Sequence, residues 1–142
     1  RRYLAPLLAD LIVTQADRTG ALADLDLLIP VPLHWTRRRH RGFNQAREIG
    51  RRLSRERGVP LIPPGVFRRV RRTSPQVSLS AAGRRENIRG AFQLDDAAHV
   101  RGRRVALLDD VITTGATTNE CARILKTAGA DEVLAVAIAR EI

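Results

Sequence analysis

Thirteen residues, Val105 to Thr117 (VALLDDVITTGAT), constrain this chain more than any other stretch. Four apolar residues run straight into two acids and then into a threonine- and glycine-rich turn. Gly115 to Ala128 has helical spacing, Gly129 is placed to stop that helix in the left-handed conformation, and Val133 to Ala139 (VLAVAIA) is a second unbroken apolar run. Strand, helix, strand, with apolar residues that do not alternate, predicts a parallel sheet covered on both faces. The expected fold class is α/β: an open, mainly parallel sheet flanked by helices.

The upstream sequence supplies the other layers. Residues 2–16 carry Leu4, Leu7, Leu8, Leu11 and Ile12 at helical spacing, and residues 1–25 read as an N-terminal helical segment whose apolar face offers a homodimer interface. Asp26 to Leu33 (DLLIPVPL) predicts a buried strand that breaks into a loop at its two prolines, and 43–57 a helix ended by Gly58. Val59 to Pro64 fits an edge strand or connector. Residues 66–94, rich in arginine, serine and proline up to Arg89, predict a long loop excursion between two short strands.

At 142 residues one domain is expected. No apolar run approaches the roughly 20 residues of a membrane span, and no signal peptide opens the sequence, so a soluble, cytoplasmic protein is expected. With 4% aromatics, a nucleic-acid binder built on stacking platforms is disfavoured, and the lone Cys121 excludes an internal disulfide framework. At its place on the helix, Cys121 reads as core. The net charge of +10 is unevenly spread: from Arg37 to Arg104 there are 19 arginines against five acids. Arginine's rigid fork of donors suits a polyanion, either a nucleic-acid backbone or a small polyphosphate.

The chemistry concentrates at the strand–turn–helix. Ligands bind beyond the carboxyl ends of parallel strands, and Asp109 and Asp110 are expected there, able to grip vicinal hydroxyls or to hold a divalent cation through water. Thr113, Thr114, Gly115, Ala116 and Thr117 then make a tight turn whose hydroxyls and helix-start amides form a cradle for a phosphate monoester. Carboxylates for hydroxyls, followed by a phosphate cradle, are what a ribose 5-phosphate needs. A phosphoacceptor domain would share the acids but leave the turn unexplained.

These residues resemble the phosphoribosyl-pyrophosphate signature of type I phosphoribosyltransferases. More narrowly, IPVPLHW (29–35), RRHRGFNQA (38–46), the spaced Gln76, Leu79-Ser80, Arg84, Asn87 and Ala91-Phe92, and NECARILKTAGADEV (119–133) resemble the ComF family of competence-associated proteins. The resemblance implies a phosphoribosyltransferase that binds phosphoribosyl pyrophosphate (PRPP) as substrate with Mg2+, held mainly by the ligand and in part by Asp109 and Asp110. It places Val31, Pro32, Leu33, His34 and Arg37 at the pyrophosphate, with Arg41, Asn44 and Gln45 as further polar contacts, Asn44 being equally a helix cap. It makes 66–94 a flexible hood loop, with Gln76, Ser80, Arg84 and Asn87 as its polar positions and Arg84 neutralising the departing pyrophosphate. Asp109, Asp110 and Arg84 form the catalytic set; whether either aspartate is also a general base stays open. The acceptor is unidentified.

Two departures stand out. Gly83 replaces an acid common in the family, which implies a more flexible hood, and the cysteine-rich zinc element common in ComF-like proteins does not occur within this sequence, so no zinc is expected in this chain. A second reading keeps the fold without turnover: a nucleotide- or PRPP-sensing module that binds single-stranded DNA or a partner in DNA uptake.

Overall fold

The two apolar runs of the C-terminal third lie side by side as parallel neighbours in a computed structural model that describes residues 20, 22–33, 45–71, 80–112 and 115–140. In chain order these residues form β1 (Leu27–Pro30), α1 (Gln45–Arg57), β2 (Phe67–Arg69), α2 (Ala81–Ile88), β3 (Phe92–Leu94), a short 3-10 helix (Ala97–His99), β4 (Arg104–Ile112), α3 (Ala116–Thr127) and β5 (Glu132–Arg140). The main sheet has the order β1-β4-β5, all parallel, with Leu27 opposite Val105 and Leu108 opposite Val136. Leu61 adds a parallel bridge to Leu28 on the β1 edge, so the proline-rich stretch after α1 is a connector that touches the sheet once.

Strand alternation divides the core. Leu27, Ile29, Val105 and Leu107 pack with Ala116, Cys121 and Leu125 of α3, whereas Leu28, Ala106 and Leu108 pack with Ala46, Ile49 and Leu53 of α1. A strand buried on both faces must be apolar at every position, which is why these runs do not alternate. Each fully buried Leu or Ile contributes roughly 1.5–3 kcal/mol relative to exposure. Helix α1 lies close to the sheet at Gly50, where an added Cβ would stand 2.8 Å from Leu61 Cδ1 and 3.2 Å from Leu108 Cδ1.

Both predicted helix stops form. Gly58 follows α1 at φ 67° with its N–H on Ser54 O, and Gly129 follows α3 at φ 106°. There Gly129 N–H donates to Lys126 O and Ala130 N–H to Leu125 O, the paired bonds of a Schellman ending.

The sequence reading needs two corrections. β4 is longer than its apolar core, running through the acids to Ile112 rather than ending at Leu108. The excursion after Val66 is flanked by the two short strands expected, paired antiparallel with Phe67 opposite Leu94 and Arg69 opposite Phe92, but it is not all loop, because eight of its residues form α2. Phe67 and Phe92 stack diagonally across that ribbon at 5.9 Å, and the Arg69 guanidinium lies 5.5 Å from the Phe92 ring centre. The N-terminal segment 1–19 lies outside the described residues.

Candidate functional site

The carboxyl ends of β1 and β4 adjoin, joined by a 2.8 Å hydrogen bond from Val31 N–H to Leu108 O immediately before the two acids. That bond changes the role expected of residues 31–33. The Val31 amide is committed to the sheet, its side chain is buried, and Pro32 has no N–H, so Leu33 carries the segment's remaining backbone donor. His34, Arg37, Arg41, Asn44 and Gln76 lie outside the described residues. Gln45 is the half-buried first residue of α1.

Asp109 and Asp110 are both half-buried, and both lie within β4. The register is the same on either side of Asp110, with Asp109 opposite Ala137 and Val111 opposite Ala139, so no extra residue intervenes and alternation sends the two side chains to opposite faces. Asp109 follows Leu107 onto the α3 side, and Asp110 follows Leu108 onto the α1 side. The Asp110 amide donates to Asp109 Oδ1 at 2.9 Å, which fixes the first carboxylate against the strand.

Gly115 begins the turn into α3 at φ 81°, the left-handed region that favours glycine, and as N-cap it offers no side chain to the helix start. In any α-helix the first-turn amides find no acceptor inside the helix, and the helix dipole favours an anion there. The Gly115 carbonyl receives Asn119 N–H at 2.8 Å and Thr118 Oγ1 at 3.1 Å, which closes the first turn. Ala116 is buried and Thr117 half-buried, while Thr113 and Thr114 lie outside the described residues.

Helix α2 carries the remaining predicted positions. Ser80 is its N-cap, accepting the Gly83 amide at 3.1 Å, so this serine has a structural duty. Arg84 and Asn87 are one turn apart, both half-buried. Arg85 and Arg89 instead face α3, lining a cleft of about 500 Å³ with Ala116, Asn119, Glu120 and Arg123.

Sequence reasoning missed Glu120, which is buried on α3 and pairs with Arg123 at 2.6 Å. Its signal was positional: four residues after Ala116 and four before Ile124, it occupies the apolar stripe of the helix. The Arg123 hydrogen bond, helped by the Gly90 amide, outweighs burial and holds this carboxyl below the usual range.

Among the described residues no three His, Cys, Asp or Glu side chains converge as a metal site. The donors present are carboxylates, hard oxygen ligands that suit Mg2+ when the substrate's phosphates and water supply the rest of its octahedron.

The phosphoribosyl transferase domain family matches residues 39–141. Competence protein F of Haemophilus influenzae is 42% identical over 140 residues, which cover 98% of this chain and 60% of that protein. The DNA utilization protein YhgH of Escherichia coli O157:H7 is 40% identical over 121 residues, 85% of this chain and 52% of that protein. The chain thus spans about half to three-fifths of the length of these relatives. Among solved structures, an adenine phosphoribosyltransferase superposes with TM-score 0.63 at 15% identity, over 99% of this chain and 72% of that one. A glutamine PRPP amidotransferase from B. subtilis complexed with ADP and GMP gives TM-score 0.63 at 19% identity, over 94% of this chain and 26% of that one. These superpositions bear out the α/β fold with its open parallel sheet.

Proposed function

The chain belongs to the phosphoribosyl transferase domain family, and on that premise we propose that it binds PRPP with Mg2+ at this sheet edge and transfers the phosphoribosyl group to a small-molecule acceptor. One observation carries the reading: Asp110, near the carboxyl end of the central strand, leads within five residues into a glycine-capped helix start. A diol and a phosphate on one pentose match those two features in kind and order.

In this reading the turn 113–117 holds the 5-phosphate, Asp110 holds the ribose hydroxyls while Asp109, on the opposite face, fixes the strand beneath them, and the Leu33 amide with Arg37 and Arg84 faces the pyrophosphate. The C1–oxygen bond to pyrophosphate breaks, the bond from the acceptor to C1 forms, and pyrophosphate leaves with the electron pair. Bound Mg2+ supplies charge neutralisation on the diphosphate oxygens. The protein's contribution is positioning and charge stabilisation of a cationic ribose centre. Residues 66–94 act as the hood that keeps water from that centre.

Calorimetry with PRPP, with and without Mg2+, tests the site. Asp110→Asn and Gly115→Val are each expected to weaken binding at least about tenfold, the loss of one charge-assisted or several amide contacts. Affinity unchanged by both substitutions removes the assignment. Pyrophosphate release with candidate bases and amines then separates turnover from binding.

The names of the two relatives favour a second reading, in which the fold serves DNA handling. Exposed arginines such as Arg55, Arg57, Arg85 and Arg103 supply the charge it needs. Single-stranded DNA binding that falls steeply with salt and ignores Asp110→Asn favours this reading over the first.

A further inference from the structure

Helix α2 returns to the ribbon through a turn with defined chemistry. Ala91 N–H closes on Ile88 O at 3.0 Å, Arg89 has φ −60° and ψ 129°, and Gly90 has φ 70°. These are the angles of a type II turn, whose second central residue needs positive φ. The central peptide of such a turn stands perpendicular to the chain, its N–H and C=O pointing away from the closing hydrogen bond. Here both of its ends are held. The Arg89 carbonyl accepts from Arg71 Nη2 at 2.5 Å, and the Gly90 amide donates to Glu120 Oε1 at 3.1 Å. Arg71 also reaches Asn87 O at 2.6 Å, the last turn of α2, where a cation is favoured by the helix dipole.

We propose that Glu120 and Arg71 are positioning residues that clamp the Arg89–Gly90 peptide and thereby hold the base of the hood to the helix that begins at the phosphate turn. This rests on the reading of 66–94 as the hood of a PRPP site. Glu120 lies one turn beyond Ala116, so the clamp links two parts of the site through a single rigid helix. Bidentate pairing with Arg123, at 2.9 and 2.6 Å, fixes the rotamer that presents Oε1 to Gly90. A buried carboxylate is costly unless paired and hydrogen-bonded, and this one is both. The far end of α2 has weaker support, since Gly83 follows the Ser80 cap where a capping-box acid would stand. A fixed base and a loose tip let the start of α2 move relative to the Arg89–Gly90 turn, carrying Arg84 with it.

Hydrogen exchange on the whole chain, with Mg-PRPP and ribose 5-phosphate titrations beside it, tests the clamp. In Glu120→Ala, exchange at amides 81–91 is expected to rise about tenfold or more, with β4 unchanged. PRPP affinity falls about fivefold to tenfold, while ribose 5-phosphate, which needs no hood, binds as before. Glu120→Gln keeps the acceptor for Gly90 and restores most of both readouts. Should Glu120→Ala not fold, Arg71→Gln, at an exposed position, removes the other jaw and is read the same way. A folded variant with wild-type exchange at 81–91, or a glutamine variant as impaired as the alanine, overturns the clamp. Wild-type protein that binds neither ligand overturns the PRPP reading instead, and the exchange comparison still decides the clamp.

Discussion

Asp109 and Asp110 are adjacent in sequence and opposite in the sheet: β4 turns one toward α3 and the other toward α1, and the amide of the second is held by the carboxylate of the first. Two such acids are not interchangeable. Asp109→Ala removes the acceptor of a half-buried amide and is expected to destabilise the protein by about 1–2 kcal/mol in urea. Asp109→Asn keeps an oxygen in place and costs less. Equal losses in the two variants contradict this role for Asp109.

Gly115 has a conformational reason to be glycine rather than a steric one. A Cβ there meets only Asn119 Nδ2 at 3.6 Å and Thr118 Oγ1 at 3.9 Å, ordinary contacts, but φ is 81°. Gly115→Ala is therefore expected to cost about 1–2 kcal/mol of left-handed strain, and Gly115→Asn less, because asparagine tolerates this region. Urea midpoints of the three proteins check the order. Alanine at wild-type stability means the turn tolerates the residue or relaxes, and the glycine then has no backbone role.

Period and punctuation made the main sheet legible. Continuous apolar runs gave β1, β4 and β5, and Gly58 and Gly129 gave two helix ends, because burial on both faces and positive φ each leave a direct mark on residue choice. β4 was read short because two aspartates look like a strand end, yet Val111 and Ile112 resume the apolar run and the ladder continues to Arg140. Helix α2 was hidden by its composition: a serine cap followed by Gly83, three charges and one buried Ile88 has almost no amphipathic pattern. The commitment of the Val31 amide to Leu108 was not legible either, since a strand register decides it. Of the site, residue types could be read, but not which amides the sheet had already used.

Gly83 sits at the third helical position of α2, where glycine costs about 1 kcal/mol relative to alanine. An acid there would also reach back to the Ser80 amide and complete a capping box. Gly83→Glu is expected to slow exchange across α2 by about tenfold, and Gly83→Ala by less. If the loose tip matters for hood movement, the glutamate variant also releases PRPP more slowly. Exchange unchanged in both variants shows that α2 does not open by fraying from Ser80.

Two carboxylates are held below their ordinary range by arginine hydrogen bonds: Glu120 by Arg123, with the Gly90 amide assisting, and Asp95 by Arg68. A depressed carboxylate contributes stability that is complete above its unfolded value of about 4 and is lost as pH falls through the folded value. Stability is therefore expected to stay level from neutrality down to about pH 5 with respect to these groups, and to fall below about pH 4. Asp95 is exposed and solvent screens its pairing with Arg68, so Glu120 should carry more of the change. Urea titrations at several pH values, on wild type and Glu120→Gln, check this. The substitution should flatten the acid-side loss, and an unaltered profile removes Glu120 from its cause.

Cys121 follows the same physics with the opposite sign. It is fully buried between α3 and the sheet, and burial first, then the Asp109 and Glu120 charges, push its thiol far above the ordinary range. Only the thiolate attacks an alkylating reagent, and a group with no exposed surface meets that reagent only when the helix opens. Native protein is therefore expected to resist iodoacetamide at neutral pH, with labelling that follows the unfolding curve in urea. Cys121→Ser should fold less stably by about 1–3 kcal/mol, because the hydroxyl is placed among Leu107, Leu125 and their neighbours. Fast labelling without denaturant places the thiol at a surface and contradicts the packing of α3 on the sheet, and with it the seat of the phosphate turn.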